Sequence, residues 1–327
     1  MNKVSIIIPL YNSANYISET VTSALAQTWK NFEIIIVDDG STDNSYSLAK
    51  SFESHILKVY RQEHKGACAA RNLAYSKSSG DYVQYLDADD LLSPEKIEQQ
   101  IKLICDENYI VSTCNSLRFQ KNIDKYINTG LSVSKNYVTP IEYILDVWET
   151  DDYLCLHAWL FPRTLIDLAG PWDISLQRFQ DPEFISRVLI STKEIRFSAT
   201  GKAFYRDTLN SLSKGKIVDI ERSRFHFLQT VIDNILLPIE NERTKNAIAF
   251  RLSNAIYLWY PEFPDLVGSG LEILKKVNRP IEDNIKGKSI FFLKLFGWRI
   301  IRRVEFKISN WLKKLKILKR KIRKHLL

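Results

Sequence analysis

Cysteine is scarce: four residues in 327, Cys68, Cys105, Cys114 and Cys155, with no CxxC pair and no zinc-like spacing. That pattern excludes a disulfide scaffold and predicts reduced core thiols of a cytosolic protein. The five histidines do not cluster as ligands. No stretch approaches the roughly 18–20 apolar residues a spanning helix needs. Met1 leads through Asn2 and Lys3 into a short strand-like run, so no signal peptide is expected. Glycine is missing where a phosphate loop would put it. Leu10-Tyr11-Asn12-Ser13-Ala14 follows the first strand pattern, which excludes a GxGxxG dinucleotide site there.

The apolar fraction of 45% and charged fraction of 26% are those of an ordinary globular chain. The net charge of +8 is unevenly spread. From Lys286 onward there are 15 Lys and Arg against one acid, Glu305, a net +14, whereas 1–285 carries a net −6. A mildly acidic body excludes a basic nucleic-acid groove across it; the basicity belongs to the tail.

The first hundred residues alternate strand and helix signals. Val4–Ile8, closed by Pro9, and Phe32–Val37 are β-branched runs without polar alternation, as expected of strands buried on both faces. Further strands are expected over Leu57–Arg61 and Tyr82–Leu86, with helices from Asn12 or Ser13 to Gln27, from Ala67 to Ser76, and from a Ser93 cap with Pro94 at the first position. Such alternation predicts an α/β fold with a mainly parallel sheet. The segment 109–210 is less regular. Helical patterns resume over 222–237, 240–257 and 266–277, placing a domain boundary near 215: a domain over 1–215, with halves of about 1–105 and 106–215, and a helical extension over 216–327. Within that extension, Leu293, Phe296, Ile300, Val304, Ile308, Trp311, Leu315, Leu318 and Ile322 step at the helical period. They outline an amphipathic helix over about 290–325, basic on its other face, with a break at Gly297.

In an open parallel sheet, ligands bind beyond the carboxyl ends of the strands. Asp38-Asp39 and Asp87-Ala88-Asp89-Asp90 fall at such ends. Carboxylates gathered there repel one another unless donors or a cation compensate, and a hard ion such as Mg²⁺ or Mn²⁺ takes oxygen ligands and shares the rest with a diphosphate. The bland reading makes these acids turn and cap residues, which is how Asp43 is read.

Four segments together resemble the family 2 glycosyltransferases: Val4-Ser5-Ile6-Ile7-Ile8-Pro9-Leu10-Tyr11-Asn12, then Val37-Asp38-Asp39-Gly40-Ser41-Thr42-Asp43, then Ala70-Arg71-Asn72, then Tyr85-Leu86-Asp87-Ala88-Asp89-Asp90. The resemblance is dense to about 105 and thin to about 213. It implies a GT-A fold of the kind found in bacterial glycan biosynthesis, using a UDP-sugar donor and a divalent cation, Mn²⁺ or Mg²⁺. It also implies roles. Pro9 and Tyr11 line the nucleotide pocket, Asp39 bonds the uracil ring with Asp38 nearer the ribose, and Arg71 lies by the base and phosphates. Asp89, assisted by Asp87, ligates the metal. Gln180-Asp181 matches the family's acidic pair at a helix start, with Asp181 as general base and Arg187 in the following basic position; Pro182 departs from the pattern, and Glu183 is the nearest rival. Tyr205-Arg206 and Ser211-Leu212-Ser213 resemble a closing loop in which Arg206 reaches the diphosphate. Trp148, Asp151, Asp152, His157 and Trp172 are candidates for the acceptor cleft, with core packing the commoner role of each.

A single base opposite the departing nucleotide implies inversion, since retention through a covalent intermediate needs a second carboxylate nucleophile. The expected acceptor is a hydroxyl of a glycan or lipid-linked glycan. Two other readings compete: a nucleotidyltransferase, which wants a Gly-rich basic phosphate loop after the first strand, and a non-catalytic membrane-binding module built on the tail. The tail's Phe291, Phe292, Trp298 and Trp311 favour an anionic lipid surface over nucleic acid, and with it a cytoplasmic protein peripheral to the inner face of the cell membrane.

Overall fold

The computed structural model describes residues 2–128, 130–208, 217–239, 241–281 and 283–325, with backbone alone at 217–219, 290, 292, 310 and 313–325. It divides into two compact units, Met1–Ile235 and Leu236–Leu327.

The first unit is built on an eight-stranded mixed sheet flanked by helices. In chain order its elements are β1 (Val4–Leu10), α1 (Ile17–Leu25), β2 (Phe32–Asp38), α2 (Ser45–Lys50), β3 (Leu57–Arg61), α3 (Ala67–Lys77), β4 (Tyr82–Tyr85), β5 (Leu91–Leu92) and α4 (Lys96–Ile104). There follow β6 (Ile110–Phe119), α5 (Pro140–Thr150), β7 (Trp159–Pro162), α6 (Arg163–Ala169), α7 (Gln180–Ile190), β8 (Glu194–Arg206) and α8 (Ile217–Val231). The sheet order is β3-β2-β1-β4-β7-β6-β8-β5. The first four strands run parallel in the order 3-2-1-4, so the connections reverse direction at β1 and open a crevice beyond the carboxyl ends of β1 and β4.

Every residue of β1 is buried, as the unbroken apolar run requires. Pro9 does not end this strand. Pairing with β4 stops at Ile7–Tyr85, while pairing with β2 continues through Pro9–Val37 to Leu10–Asp38. The proline's missing N–H therefore falls where β4 has already turned away. Ser93 is not a helix cap. The helix starts at Lys96, and the Ser93 hydroxyl instead accepts from the backbone N–H of Lys202 at 3.1 Å on β8.

The segment 109–210 is more regular than its sequence pattern suggests. β6 and β8 are 10 and 13 residues long and pair in parallel, with a register shift at Cys114/Asn115. Polar residues are interspersed along both strands, some of them buried, such as Ser112, Thr113, Ser198 and Arg206, which hides the strands from a search for continuous apolar runs. Near the sequence-based boundary, α8 packs on the end of the first unit: Phe227 stacks on Phe179 with centroids 5.9 Å apart, and His226 lies 3.4 Å from Asp173.

The second unit contains α9 (Glu242–Trp259), α10 (Pro264–Lys276), α11 (Ile290–Phe296) and α12 (Trp298–His325). Asn241 and Thr244 form a reciprocal capping box at the start of α9. The break between α11 and α12 falls on Gly297, whose φ of 75° suits glycine. No described helix is long and apolar enough to cross a membrane.

Gly80, in the turn before β4, has no room for a side chain. An added Cβ would sit 2.5 Å from the Ser5 backbone nitrogen and 2.9 Å from the Lys3 carbonyl oxygen, both on the incoming edge of β1. Gly80→Ala is therefore expected to cost about 1–3 kcal/mol and lower the thermal unfolding midpoint by roughly 2–10 °C. An unchanged midpoint in a calorimetric scan would show that this turn shifts freely.

Candidate active site

Loops at the carboxyl ends of β1 and β2 are stitched together. The Asp39 N–H donates to the Leu10 carbonyl at 2.8 Å, the Asn12 N–H to the Ser41 hydroxyl at 3.0 Å, and the Ser13 N–H to the Ser45 hydroxyl at 2.7 Å. Gly40, with φ 75°, lets this loop pass His64, whose backbone nitrogen would lie 3.0 Å from an added Cβ.

Asp39 is 2% exposed and its acceptor capacity is filled. Gln62 Nε2 and the Lys65 N–H donate to Oδ1 at 2.7 and 2.9 Å; the Gly66 N–H and His64 Nδ1 lie 2.8 Å from Oδ2. A carboxylate offers about four such positions. His64 is the exposed member of the set and stacks on Tyr11 with ring centroids 4.2 Å apart. Asp38 is fully buried. Its Oδ2 takes the Ser41 N–H at 3.2 Å and Arg61 at 3.1 Å, whereas its Oδ1 has no hydrogen-bond partner among the described residues.

The Asp87–Asp90 turn is clamped on both sides. β4 enters from its pairing with β1, β5 leaves on β8, and the Thr20 hydroxyl donates to the Ala88 carbonyl at 2.9 Å. The four positions have separate environments. Asp87 accepts from Arg71 Nη2 at 2.8 Å. Asp89 forms no ion pair among the described residues, and burial together with neighbouring Asp87 pushes it up to about 6. Asp90 is buried and held well above the usual carboxylate range by desolvation and by Asp89 and Asp87. It accepts from the Arg206 N–H at 2.7 Å and lies 3.2 Å from His157 Nδ1. His157 is itself buried, lowered to about 4 by desolvation, with Nε2 3.3 Å from Cys155 Sγ. Among the described residues, no group of three or more His, Cys, Asp or Glu side chains is arranged to hold a metal ion.

Arg71 joins the two halves of the unit. It is 4% exposed, its guanidinium lies 4.5 Å from the Trp172 ring centroid, and beside the bond to Asp87 its Nη1 sits 3.3 Å from Asp181 Oδ1 and 3.4 Å from Gln180 Oε1. Its neighbour Asn72 exchanges two hydrogen bonds with the backbone of Trp172, at 2.8 and 2.9 Å. Asp181 lies in the first turn of α7, where Pro182 is harmless because helix-start N–H groups have no intrahelical acceptor. Although 38% of its side chain is open, protein crowding pushes its carboxyl up to about 6; Arg71 opposes the shift and Asp87 adds to it. Glu183 is not available in the same way. It is 3% exposed and forks onto Arg187 at 2.7 and 3.0 Å.

The structure thus gathers Asp87, Arg71 and Asp181 at one place, and Tyr11 and Asp39 around His64. Arg206 is placed differently from a free closing residue. It is 6% exposed, with Nε on the Asp89 carbonyl at 2.7 Å and Nη2 on Glu19 at 2.6 Å, so it braces the acidic turn. Ser211-Leu212-Ser213 lies outside the described residues. Trp148 and Trp172 are buried at 2% each, Trp172 against Phe184 at 4.0 Å, and Asp152 accepts from Ser132 at 2.7 Å. Sequence reasoning missed Gln62, His64 and the Asp90–His157–Cys155 string. The first two directly follow a strand end, the signal that found Asp38 and Asp87; the string is visible only in three dimensions.

A family model described as glycosyl transferase family 2 matches residues 5–167. An uncharacterized glycosyltransferase of Rickettsia typhi is 40% identical over 262 residues, 70% of this chain and 78% of that protein. The chain spans only about a fifth of the length of several other curated relatives it matches. Among solved structures, S. aureus TarS 1–349 in complex with UDP-GlcNAc superposes with a TM-score of 0.67 at 19% identity, over 94% of this chain and 92% of that one. GalNAc-T7 with UDP, GalNAc and Mn²⁺ superposes with a TM-score of 0.58 at 16% identity, over 77% and 51%. These likenesses establish a GT-A architecture for the sheet and its helices. With the acidic turn at the end of β4 and the match over two thirds of a related enzyme, the chain belongs to the family 2 glycosyltransferases and is a glycosyltransferase.

Proposed function

We propose that this enzyme moves a sugar from a UDP-sugar to a hydroxyl of a glycan or lipid-linked glycan, inverting the anomeric centre, with Asp181 as the general base. The observation that carries the reading is the convergence of Asp87 and Asp181 on the Arg71 guanidinium. A transfer reaction needs the donor diphosphate and the acceptor's base about one sugar ring apart, and a shared guanidinium keeps the two carboxylates that close. TarS, crystallised with UDP-GlcNAc, and GalNAc-T7, crystallised with UDP, GalNAc and Mn²⁺, support the donor and cation by likeness of fold.

Pro9, Tyr11, Asp38 and Asp39 form the nucleotide end of the site. Asp39's acceptor positions are filled, so a uracil imide N–H bonds to it by taking the place of the exposed His64, and the ring then lies against Tyr11. The unpartnered Asp38 Oδ1 is an acceptor left for a ribose hydroxyl. Asp89, with Asp87 beside it, suits Mn²⁺ or Mg²⁺: two crowded carboxylates, one without an ion-pair partner, supply protein oxygens and leave the other positions to the diphosphate. When bound, such an ion offsets the charge that grows on the departing diphosphate. Arg206 is a brace for this turn; its contribution to the diphosphate is through the placement of Asp89.

Asp181 accepts the proton of the acceptor hydroxyl while that oxygen bonds to the anomeric carbon. The bond from that carbon to the diphosphate oxygen breaks on the opposite face, and UDP leaves with the electron pair. A carboxyl raised to about 6 is a stronger base than an ordinary aspartate and is still ionised at neutral pH.

Asp89→Ala should weaken Mn²⁺-dependent UDP binding by about tenfold or more, read by calorimetric titration, and abolish transfer. Asp181→Asn should leave UDP binding within about twofold yet lower kcat by roughly 10²–10⁴. Wild-type turnover in Asp181→Asn, with an acceptor the native enzyme uses, would remove the base assignment.

The base must be unprotonated, so kcat/KM should be level above pH 6 and fall about tenfold per pH unit below it. An acid limb near pH 4 would mean that the essential carboxyl has an ordinary aspartate environment.

A further inference from the structure

The helix α12 has 28 residues, of which 12 are Lys or Arg and one, Glu305, is acidic. Its two described faces have different fates. Trp298 is buried, Glu305 accepts from the Tyr257 hydroxyl at 2.7 Å and pairs with Lys288, and Arg302 donates to the carbonyls of Tyr260 and Leu258 at 3.2 Å. These residues recur at 298, 302 and 305, one side of the helix, and hold it to α9 and the residues just after it. Ile300, Val304, Ile308 and Trp311 recur at the same helical spacing on another side, with 59%, 51%, 52% and 61% exposure. Leu312 extends that stripe, 47% exposed, and Arg303 and Lys307 border it.

Fixing the helix by one side while leaving a tryptophan and three β-branched residues half in water is unfavourable for an isolated protein, because each forgoes roughly half of the about 1.5–3 kcal/mol that full burial contributes. The charge is also unfavourable in isolation. Like charges four residues apart, as at Arg299/Arg303 and Arg303/Lys307, weaken a helix by about 0.2–0.5 kcal/mol per pair. One occupant relieves both terms: a surface that is apolar within and anionic at its edge. A second copy laid on the same stripe would bring cations against cations, and a nucleic acid would leave the apolar stripe in water.

We infer that α12 lies in the interface of an anionic lipid membrane, with Ile300, Val304, Ile308 and Trp311 among the acyl chains and Arg303 and Lys307 at the headgroups. This placement is independent of the donor chemistry and brings the enzyme to a surface where lipid-linked acceptors are found.

The full chain is mixed with sonicated vesicles of phosphatidylcholine alone or with about a third phosphatidylglycerol, and bound protein is measured by sedimentation in 0.1 M and 0.5 M salt. Binding is expected only to the anionic vesicles, and weaker at the higher salt. Trp311→Ser combined with Val304→Ser should reduce it roughly tenfold or more, and Arg303→Glu with Lys307→Glu by a similar factor. Thermal unfolding within a degree or two of the native midpoint, about the scatter of such a shift, marks these exposed variants as folded. Three results would overturn the inference: full-length protein left in the supernatant with anionic vesicles, variants that sediment like the native chain, or dimerisation lost with the stripe while vesicle binding persists. Retention on single-stranded DNA that exceeds vesicle binding would assign the helix to nucleic acid instead.

Discussion

Burying a guanidinium is unfavourable unless its charge is matched, and here the match comes from both halves of the catalytic unit. Arg71 leaves α3 at 4% exposure and meets Asp87 from the end of β4 and Asp181 from the start of α7. Removing either carboxylate would leave a buried cation short of a partner, which costs more than the pair gains. The constraint runs outward from there. Trp172 stacks under the guanidinium, Asn72 holds the Trp172 backbone, and Phe184 on α7 stacks on Trp172 from the other side. This charge and the aromatic plate beneath it, together with the packing of α7 on α6 and α8, tie the start of α7 and Asp181 to the parallel strands.

How much of this was legible in the sequence depended on whether the signal was local. β1 and β2 are largely apolar runs because both faces are covered, and such runs stand out against a polar background, whereas the edge strand β3 alternates, with Leu57 and Val59 buried and Lys58 exposed. The carboxyl ends of β2 and β4 then pointed to Asp38, Asp39 and Asp87 by topology alone. β6 and β8 were hidden because their buried and exposed residues are mixed along the strand. Ser93-Pro94 carried a valid helix-start signal, yet Lys202 on β8 claimed the hydroxyl, so tertiary pairing overrode a local preference. Arg206 illustrates the opposite limit. Its residue type fitted a phosphate ligand, but only the fold shows that Glu19 and the Asp89 carbonyl already hold it. Gln62 and His64 carried the same strand-end signal as Asp38 and were passed over because neither is an acid.

Crowding three aspartates into the turn after β4 is tolerable only because each meets a different fate. Asp87 shares the charge of Arg71. Asp90 is buried, which holds its carboxyl well above the usual range, and the Arg206 N–H donates to it at 2.7 Å. That leaves Asp89, partly buried and raised by its neighbour, with no ion pair among the described residues. A protein that needed only a stable turn would replace such a group, since an unmatched, half-buried carboxylate destabilises the fold. Under the proposed function, in which this turn receives a cation and a diphosphate, the requirement is the reverse. The charge has to be present before the ligand comes and must not be satisfied from within, and the surrounding braces must keep it from collapsing onto a partner. Arg206, held to the Asp89 carbonyl rather than its carboxylate, is such a brace: it fixes the backbone of the residue and offsets the side chain's charge only in part, without pairing with it.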